Sequence, residues 1–443
     1  MSSDIVKILT MNNAISIQIT IDSILLKSNI MNQNVAQLYR IAQKPVRHII
    51  GLMSGTSMDG LDVALVRIEG NGTETKTNLL NFETVEYTEG VKTEIRKVFA
   101  KQNIDFQNLT LLNAWIGRMH GDMILSCLKK WDLNTEGVDL IASHGQTVFH
   151  APKILHQLEQ FPNATLQIGD GDHIAVTTGI ITISDFRQKH VAAGGEGAPL
   201  AVYGDYFIFS DSSENRLMLN MGGIANFTYL PASLDASEVF VTDTGPGNTL
   251  LDAFIKRYFP TKNYDKDAEI ARSGTVIPEL LAALKDNDFF KKPFPKTTGP
   301  ELFNMSYIEH AIKNARIMPP PPMDSIRRVF DIMATLTRFS AETIAEAILN
   351  LFKQKQFDDA TIKEFKIYMS GGGMHNPLLI NYLKELLPNI SFNKTDELGI
   401  NGDAKEAVLF AILGNECVAG NGTNFGKREG VPSVSMGKIS FPT

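Results

Sequence analysis

The charged and polar residues that end apolar segments are the ones best placed to do chemistry in this 443-residue chain. Ile180 to Ser184 reads as a strand, and Asp185, Phe186 and Arg187 follow it directly. A carboxylate at a strand end that faces a cleft can take a proton from water or a hydroxyl. Asp185 is therefore the expected general base. The plainer alternative, that it pairs with Arg187 or caps a helix, fits the residues alone about as well. Arg187 carries a planar fork suited to a substrate carboxylate. His144 follows a second expected strand, Val138 to Ser143, and reads either as a ligand for a sugar hydroxyl or as a satisfied buried histidine. Asp170, Asp172 and His173 are close in sequence, but without a further ligand they do not make a metal site.

Glycine-rich turns point to a second chemistry, the holding of phosphate. One covers residues 55–60, between apolar runs Ile49 to Met53 and Leu61 to Ile68. Another is Gly222-Gly223, between Leu217 to Met221 and Ile224 to Leu230. Two more, Gly245 to Gly247 and Gly371 to Gly373, also follow expected strands. Glycine lets the backbone approach a ligand closely, and successive N–H groups in such a turn can face a phosphate. Thr56 and Ser57 would add hydroxyls, and Asp59 an oxygen for a hydrated Mg²⁺. Asp243 either orients the same ion or caps the helix that follows Asn248. Gly371 to Gly373 with Asn376 would let an adenine and ribose lie on backbone, or form only a tight strand-to-helix turn. A single turn of this kind is most simply a plain hairpin; its recurrence favours two halves that each open on a phosphate-facing tip. Neither a G-x-x-x-x-G-K-[ST] loop nor a G-x-S-x-G elbow occurs, and Gly422 to Lys427 has the wrong spacing and runs into Arg428. If ATP binds, hairpin amides and Mg²⁺ hold it, without a P-loop lysine.

The elements that must position these residues alternate between strand and helix. Leu79 to Thr88 is a third strand, Val91 to Lys101 a helix, and Leu109 to Trp131 a long amphipathic helix. Gln167 to Asp172 opens another helix, and Ala198 to Phe207 is helical after the Gly-rich loop 193–197. In the second half, Val239 to Thr242 and Phe365 to Met369 are strands, 265–353 is helical with Pro-rich breaks at 293–300 and 318–322, and Asp403 to Cys417 closes the chain as a helix. Such alternation predicts α/β layers, and the hairpins predict mixed sheets. Two lobes are expected, 46–212 and 213–443, with the last helices free to pack back on the first.

With 43% hydrophobic and 21% charged residues the chain reads as globular. No apolar run is long enough to span a bilayer. A net charge of −7 excludes a general nucleic-acid surface. The two cysteines, Cys127 and Cys417, fit no zinc spacing and suit a cytoplasmic protein. Residues 1–45 read as an extension outside the catalytic region, with Met31 the expected start and a short helix from Asn32 to Gln43.

Together these blocks resemble the anhydro-N-acetylmuramic acid kinases of bacterial cell-wall recycling. The residues that carry the resemblance are 51–62, 143–147, 167–170, 184–187, 191–200, 219–226, 243–248 and 370–373, in order over roughly residues 47–420. Glu196 and His190 depart from the glutamine and the acid common in the family. The resemblance implies two ribonuclease H-like lobes of the actin, hexokinase and Hsp70 type, with mixed sheets, closing around ATP. It implies that Asp185 activates water against the anomeric carbon, opening the 1,6-bridge of 1,6-anhydro-N-acetylmuramic acid, while O6 takes the γ-phosphoryl group. His144, Gln146, Asp170 and Arg187 are then the sugar ligands, with Arg187 on the lactyl carboxylate. Gly55, Thr56, Ser57, Met58, Asp59, Gly60, Leu61, Asp62, Gly222, Gly223 and Asn226 face the phosphates. Gly245, Gly247, Gly371, Gly372, Gly373 and Asn376 face the adenosine, with Asp59 and Asp243 on Mg²⁺. A kinase for another hexose, or an ATP-driven clamp of the same fold, are the competing readings, and a homodimer is compatible with the sequence.

Overall fold

The computed structural model describes residues 31–55, 58–198, 200–317, 326–400, 402–427 and 430–443. The extension before Met31, Thr56 and Ser57, the Pro-rich break at 318–322 and Arg428 thus lie outside the described residues. Two compact units are present. The first runs to Ala198 and takes in Glu406–Thr423 and Val434–Thr443; the second is Pro199–Lys405 with Asn424–Ser433.

The first unit is built on a seven-stranded sheet in the order β12-β6-β4-β1-β2-β3, with β5 paired to β4. Its strands are β1 (Val46–Ser54), β2 (Gly60–Glu69), β3 (Lys76–Glu86), β4 (Leu140–Ala151), β5 (Ala164–Ile168), β6 (Thr182–Ser184) and β12 (Lys438–Ser440). β1, β2 and β3 run antiparallel, while β4 lies parallel to both β1 and β6. Alternation in 61–68 made the hairpin legible, and Leu61, Val63, Leu65 and Val66 are indeed buried. The helix Phe106–Lys130 covers the sheet with Leu112, Ile116, Ile124, Cys127 and Leu128. Gly51 in β1 lies against the helix Lys405–Ala419 so closely that a Cβ there would collide with the Ala407 carbonyl.

The second unit carries a five-stranded sheet in the order β11-β10-β7-β8-β9. Its strands are β7 (Arg216–Met221), β8 (Ile224–Leu230), β9 (Phe240–Pro246), β10 (Lys366–Ser370) and β11 (Ser391–Lys394). β7, β8 and β9 are antiparallel, and β10 is parallel to β7 and β11. The 30-residue helix Ile326–Lys355 buries residues along its whole length, packing Ile344, Ile348 and Leu351 on the sheet and Ile332, Leu336 and Phe339 among the other helices.

Several boundaries differ from the sequence expectation. β4 continues through His144-Gly145-Gln146 to Ala151, so these residues lie within a strand and do not follow one. A strand, β5, precedes the helix Gly171–Thr178, and Gly245 and Pro246 belong to β9. The expected helix 198–207 is Ala201–Phe209.

Candidate active site

A cavity of about 750 Å³ lies in the first unit, where Asp185, His144 and Asp170 meet Asn113, Gln188 and Lys438. β6 ends at Ser184, and Asp185 turns the chain into the helix Phe186–Ala192 through the left-handed region, at φ 56° and ψ 36°. That conformation costs a residue with a Cβ roughly 1–2 kcal/mol, and its retention at a cavity wall is the kind of strain found at functional sites. Asp185 makes no side-chain cap to that helix. Its Oδ2 instead accepts a hydrogen bond from Lys438 Nζ at 2.8 Å. Asp170 lines the same wall while its Oδ1 accepts the Asp172 N–H at 2.9 Å, capping the helix Gly171–Thr178. Asn113 Oδ1 accepts the Gly169 N–H at 3.0 Å and so fixes the turn that carries Asp170.

His144 is buried and both ring nitrogens are engaged. Nδ1 pairs with the Gly145 carbonyl at 2.8 Å, which requires the proton there, and Nε2 accepts from Arg187 Nε at 2.8 Å. Burial foremost, then the Arg187 charge, pushes its pKa down to about 3, so the ring is neutral. Arg187 Nη1 donates to the Gly197 carbonyl at 2.6 Å. The Gly197 N–H donates to His190 Nδ1 at 3.0 Å, so His190 and Arg187 between them hold both backbone polar groups of Gly197. Burial pushes His190 down to about 4, which keeps it an acceptor. Two expected sugar ligands are placed as follows. The Arg187 fork is turned onto His144 and the loop, and it is not among the residues lining the cavity. His144 serves as its acceptor, leaving neither ring nitrogen unengaged for a sugar hydroxyl.

Gln146 is also placed differently. It is fully buried, its Oε1 accepts from Ser54 Oγ at 2.6 Å, and its Nε2 donates to the Gly55 carbonyl at 3.0 Å. Ser54 Oγ lies 2.8 Å from Tyr87 Oη, which is 2.7 Å from His120 Nε2. Gln146 thus anchors the first glycine turn and does not line the cavity. Around that turn, Met58 sits at φ 57° against the core and Asp59 is exposed. Leu61 is buried in the core and Asp62 accepts from Thr84 Oγ1 at 2.6 Å, so their side chains serve the sheet. Gly60 is a packing glycine, since a Cβ would collide with the Val85 carbonyl.

The other three glycine turns come together in the second unit. Gly247 and Asn248 N–H groups donate to the Gly223 and Gly222 carbonyls, each at 2.8 Å. Gly371 has φ 80°, and a Cβ there would stand 2.6 Å from Asn220 Oδ1. Gly223 and Gly372 are exposed at this junction, whereas Gly245, Gly247 and Gly373 are buried packing positions. Asn226 pairs with Asn220 across the β7–β8 hairpin. Asn376 Oδ1 accepts from Leu378 and Leu379 N–H groups, making it the cap of the helix Pro377–Leu386. Bare backbone at Gly222, Gly223 and Gly372 leaves room that any Cβ would narrow, which fits a nucleotide phosphate. Asp243 Oδ2 accepts the Thr298 N–H at 2.8 Å, so it ties down that loop and does not cap the next helix. Burial chiefly, opposed by that N–H and aided by Glu301, pushes its pKa up to about 6. Among the described residues no group of three or more His, Cys, Asp or Glu is placed to hold a metal.

Asn113, Gln188 and Lys438 escaped the sequence reading. Asn113 and His120 interrupt the apolar face of the helix Phe106–Lys130 seven residues apart, a signal that was available. Lys438 arrives from a three-residue edge strand far along the chain, for which no local signal exists.

Two sheets that share one plan, three antiparallel strands followed by two parallel ones, give the chain a mixed α/β fold that resembles the actin-like ATPase fold. Residues 47–441 match the family model for anhydro-N-acetylmuramic acid kinase. A relative of that name from Pseudoalteromonas atlantica is 54% identical over 418 residues, covering 93% of this chain and 100% of the relative. Another, from Caldanaerobacter subterraneus, is 39% identical, covering 91% and 100%. The chain belongs to the anhydro-N-acetylmuramic acid kinase family, and is a phosphotransferase of the ATP-dependent kind. A solved hexokinase from Schistosoma mansoni complexed with glucose aligns over 84% of this chain and 86% of its own, at 10% identity and a TM-score of 0.34, too distant to carry an argument.

Proposed function

We propose that this chain adds water across the 1,6-bridge of 1,6-anhydro-N-acetylmuramic acid and phosphorylates O6, giving N-acetylmuramic acid 6-phosphate and ADP, in the cytoplasm during cell-wall recycling. Asp185 takes a proton from the water that attacks C1. The C1–O6 bond breaks, and O6 displaces ADP from the γ-phosphorus, with one proton released overall. ATP, when bound, supplies the phosphoryl group, and Mg²⁺ neutralises its charge. Backbone at Gly222, Gly223 and Gly372 would hold the nucleotide. Mg²⁺ would rest mainly on phosphate and water, with Asp59 or Asp243 as single ligands.

The observation that carries this reading is the carboxylate of Asp185, held on a left-handed turn at a strand end inside a cavity of sugar size. Asp185→Asn is expected to lower kcat at least roughly 100-fold, the loss typical of a general base, while ATP affinity by titration calorimetry changes less than about threefold. Turnover that survives in this variant removes Asp185 as the base.

A further inference from the structure

The cavity is lined by three carboxylates, Asp170, Asp172 and Asp185, and by one cation, Lys438. A sugar bearing a carboxylate would meet repulsion on most of this wall and attraction only at that ammonium. Lys438 is fixed in place by β12, whose backbone pairs antiparallel with β6 so that Lys438 stands opposite Ser184, next to Asp185. Its side chain is 62% exposed, so the ammonium end can reorient, while the 2.8 Å bond ties it to Asp185 in the empty site. That pairing occupies an oxygen of the carboxylate that would take the proton from water. Arg187 Nε and Nη1 are already engaged by His144 and Gly197, whereas Lys438 reaches the cavity wall from an exposed position.

We infer that Lys438 selects for a carboxylate on the sugar and changes partners when the sugar binds, from Asp185 to the lactyl carboxylate, leaving Asp185 free to take the proton from water. The inference rests on the reaction proposed above. It makes substrate charge a condition for a competent base, since a sugar without the lactyl group leaves Asp185 paired. Lys438 is in this scheme a binding and positioning residue, and Asp185 alone takes the proton.

The experiment compares kcat/KM for 1,6-anhydro-N-acetylmuramic acid with that for 1,6-anhydro-N-acetylglucosamine, which lacks the lactyl ether, in the full-length wild type, Lys438→Met and Lys438→Arg. The wild type should prefer the lactyl sugar, and Lys438→Met should lose roughly 10- to 100-fold of that preference, the size of one charge-assisted hydrogen bond. Lys438→Arg should keep most of it. Where the lactyl-free sugar turns over too slowly, the ratio of dissociation constants reads the same preference. A ratio that Lys438→Met leaves unchanged overturns the inference, including when both sugars lose activity equally. A wild type that processes neither sugar is a different result: it refutes the proposed reaction, and the inference falls with it.

Discussion

Asp243 shows how much a single buried carboxylate can say. Its pKa, pushed up to about 6, means the folded state resists ionising it. The stabilising contribution of the protonated form is complete below the ordinary carboxylate range and is lost as pH rises through about 6. At neutral pH this penalty reaches up to about 3 kcal/mol. Asp243→Asn, which can still accept the Thr298 N–H, should therefore match the wild type near pH 4 and be the more stable protein at pH 8, by roughly 2–4 °C in Tm per kcal/mol. Thermal melts of both proteins across that range check this, and a difference that does not vary with pH would contradict it. Asp185, Asp170 and His144, which line the cavity, stand out in the sequence because each ends or follows an apolar run. Gln146 lies away from the cavity for a definite reason. In a regular strand His144 and Gln146 would share a face, but Gly145 adopts φ 77° and the β1–β4 register shifts there. That bulge separates the two side chains, sending one to Arg187 and the other beneath the glycine turn.

The hydrogen-bonded chain His120–Tyr87–Ser54–Gln146 ties the helix Phe106–Lys130 to the end of β1 and to the turn that follows it. It fixes the Gly55 carbonyl. Gln146→Leu keeps the volume but leaves the Ser54 hydroxyl and the Gly55 carbonyl without this partner. It should cost about 1–3 kcal/mol of stability for the orphaned groups, and should raise KM for ATP more than KM for the sugar. Denaturant unfolding and steady-state kinetics on both substrates measure the two effects; equal KM changes would show that the chain does not act through the turn. The hairpins and long helices could be read from sequence because their apolar periods run over many residues. β5, β11 and β12 could not. They are strands of five, four and three residues, too short for a period to show, and pairing across the sheet defines them.

On the scale of the whole chain, the recurrence of strand, glycine turn and strand pointed to two halves that each open on a hairpin, and each sheet holds one, β1–β2 and β7–β8. The division into units is less local. The first unit takes back Glu406–Thr423 and Val434–Thr443 from the end of the chain, and no composition change marks either crossing. Lys438 reaches the cavity by that return, so a complete site exists only once both ends of the sequence have met in one sheet. The chemistry assigned to this arrangement is hydrolysis coupled to phosphoryl transfer, which differs from an ordinary sugar kinase in where water's oxygen goes. The direct measurement is mass spectrometry of the product formed from ATP and 1,6-anhydro-N-acetylmuramic acid in ¹⁸O-enriched water, under conditions too brief for anomeric exchange. One ¹⁸O at C1 and none in the phosphate is the predicted result. Label in the phosphate, or a phosphorylated product that keeps the anhydro bridge, would contradict it.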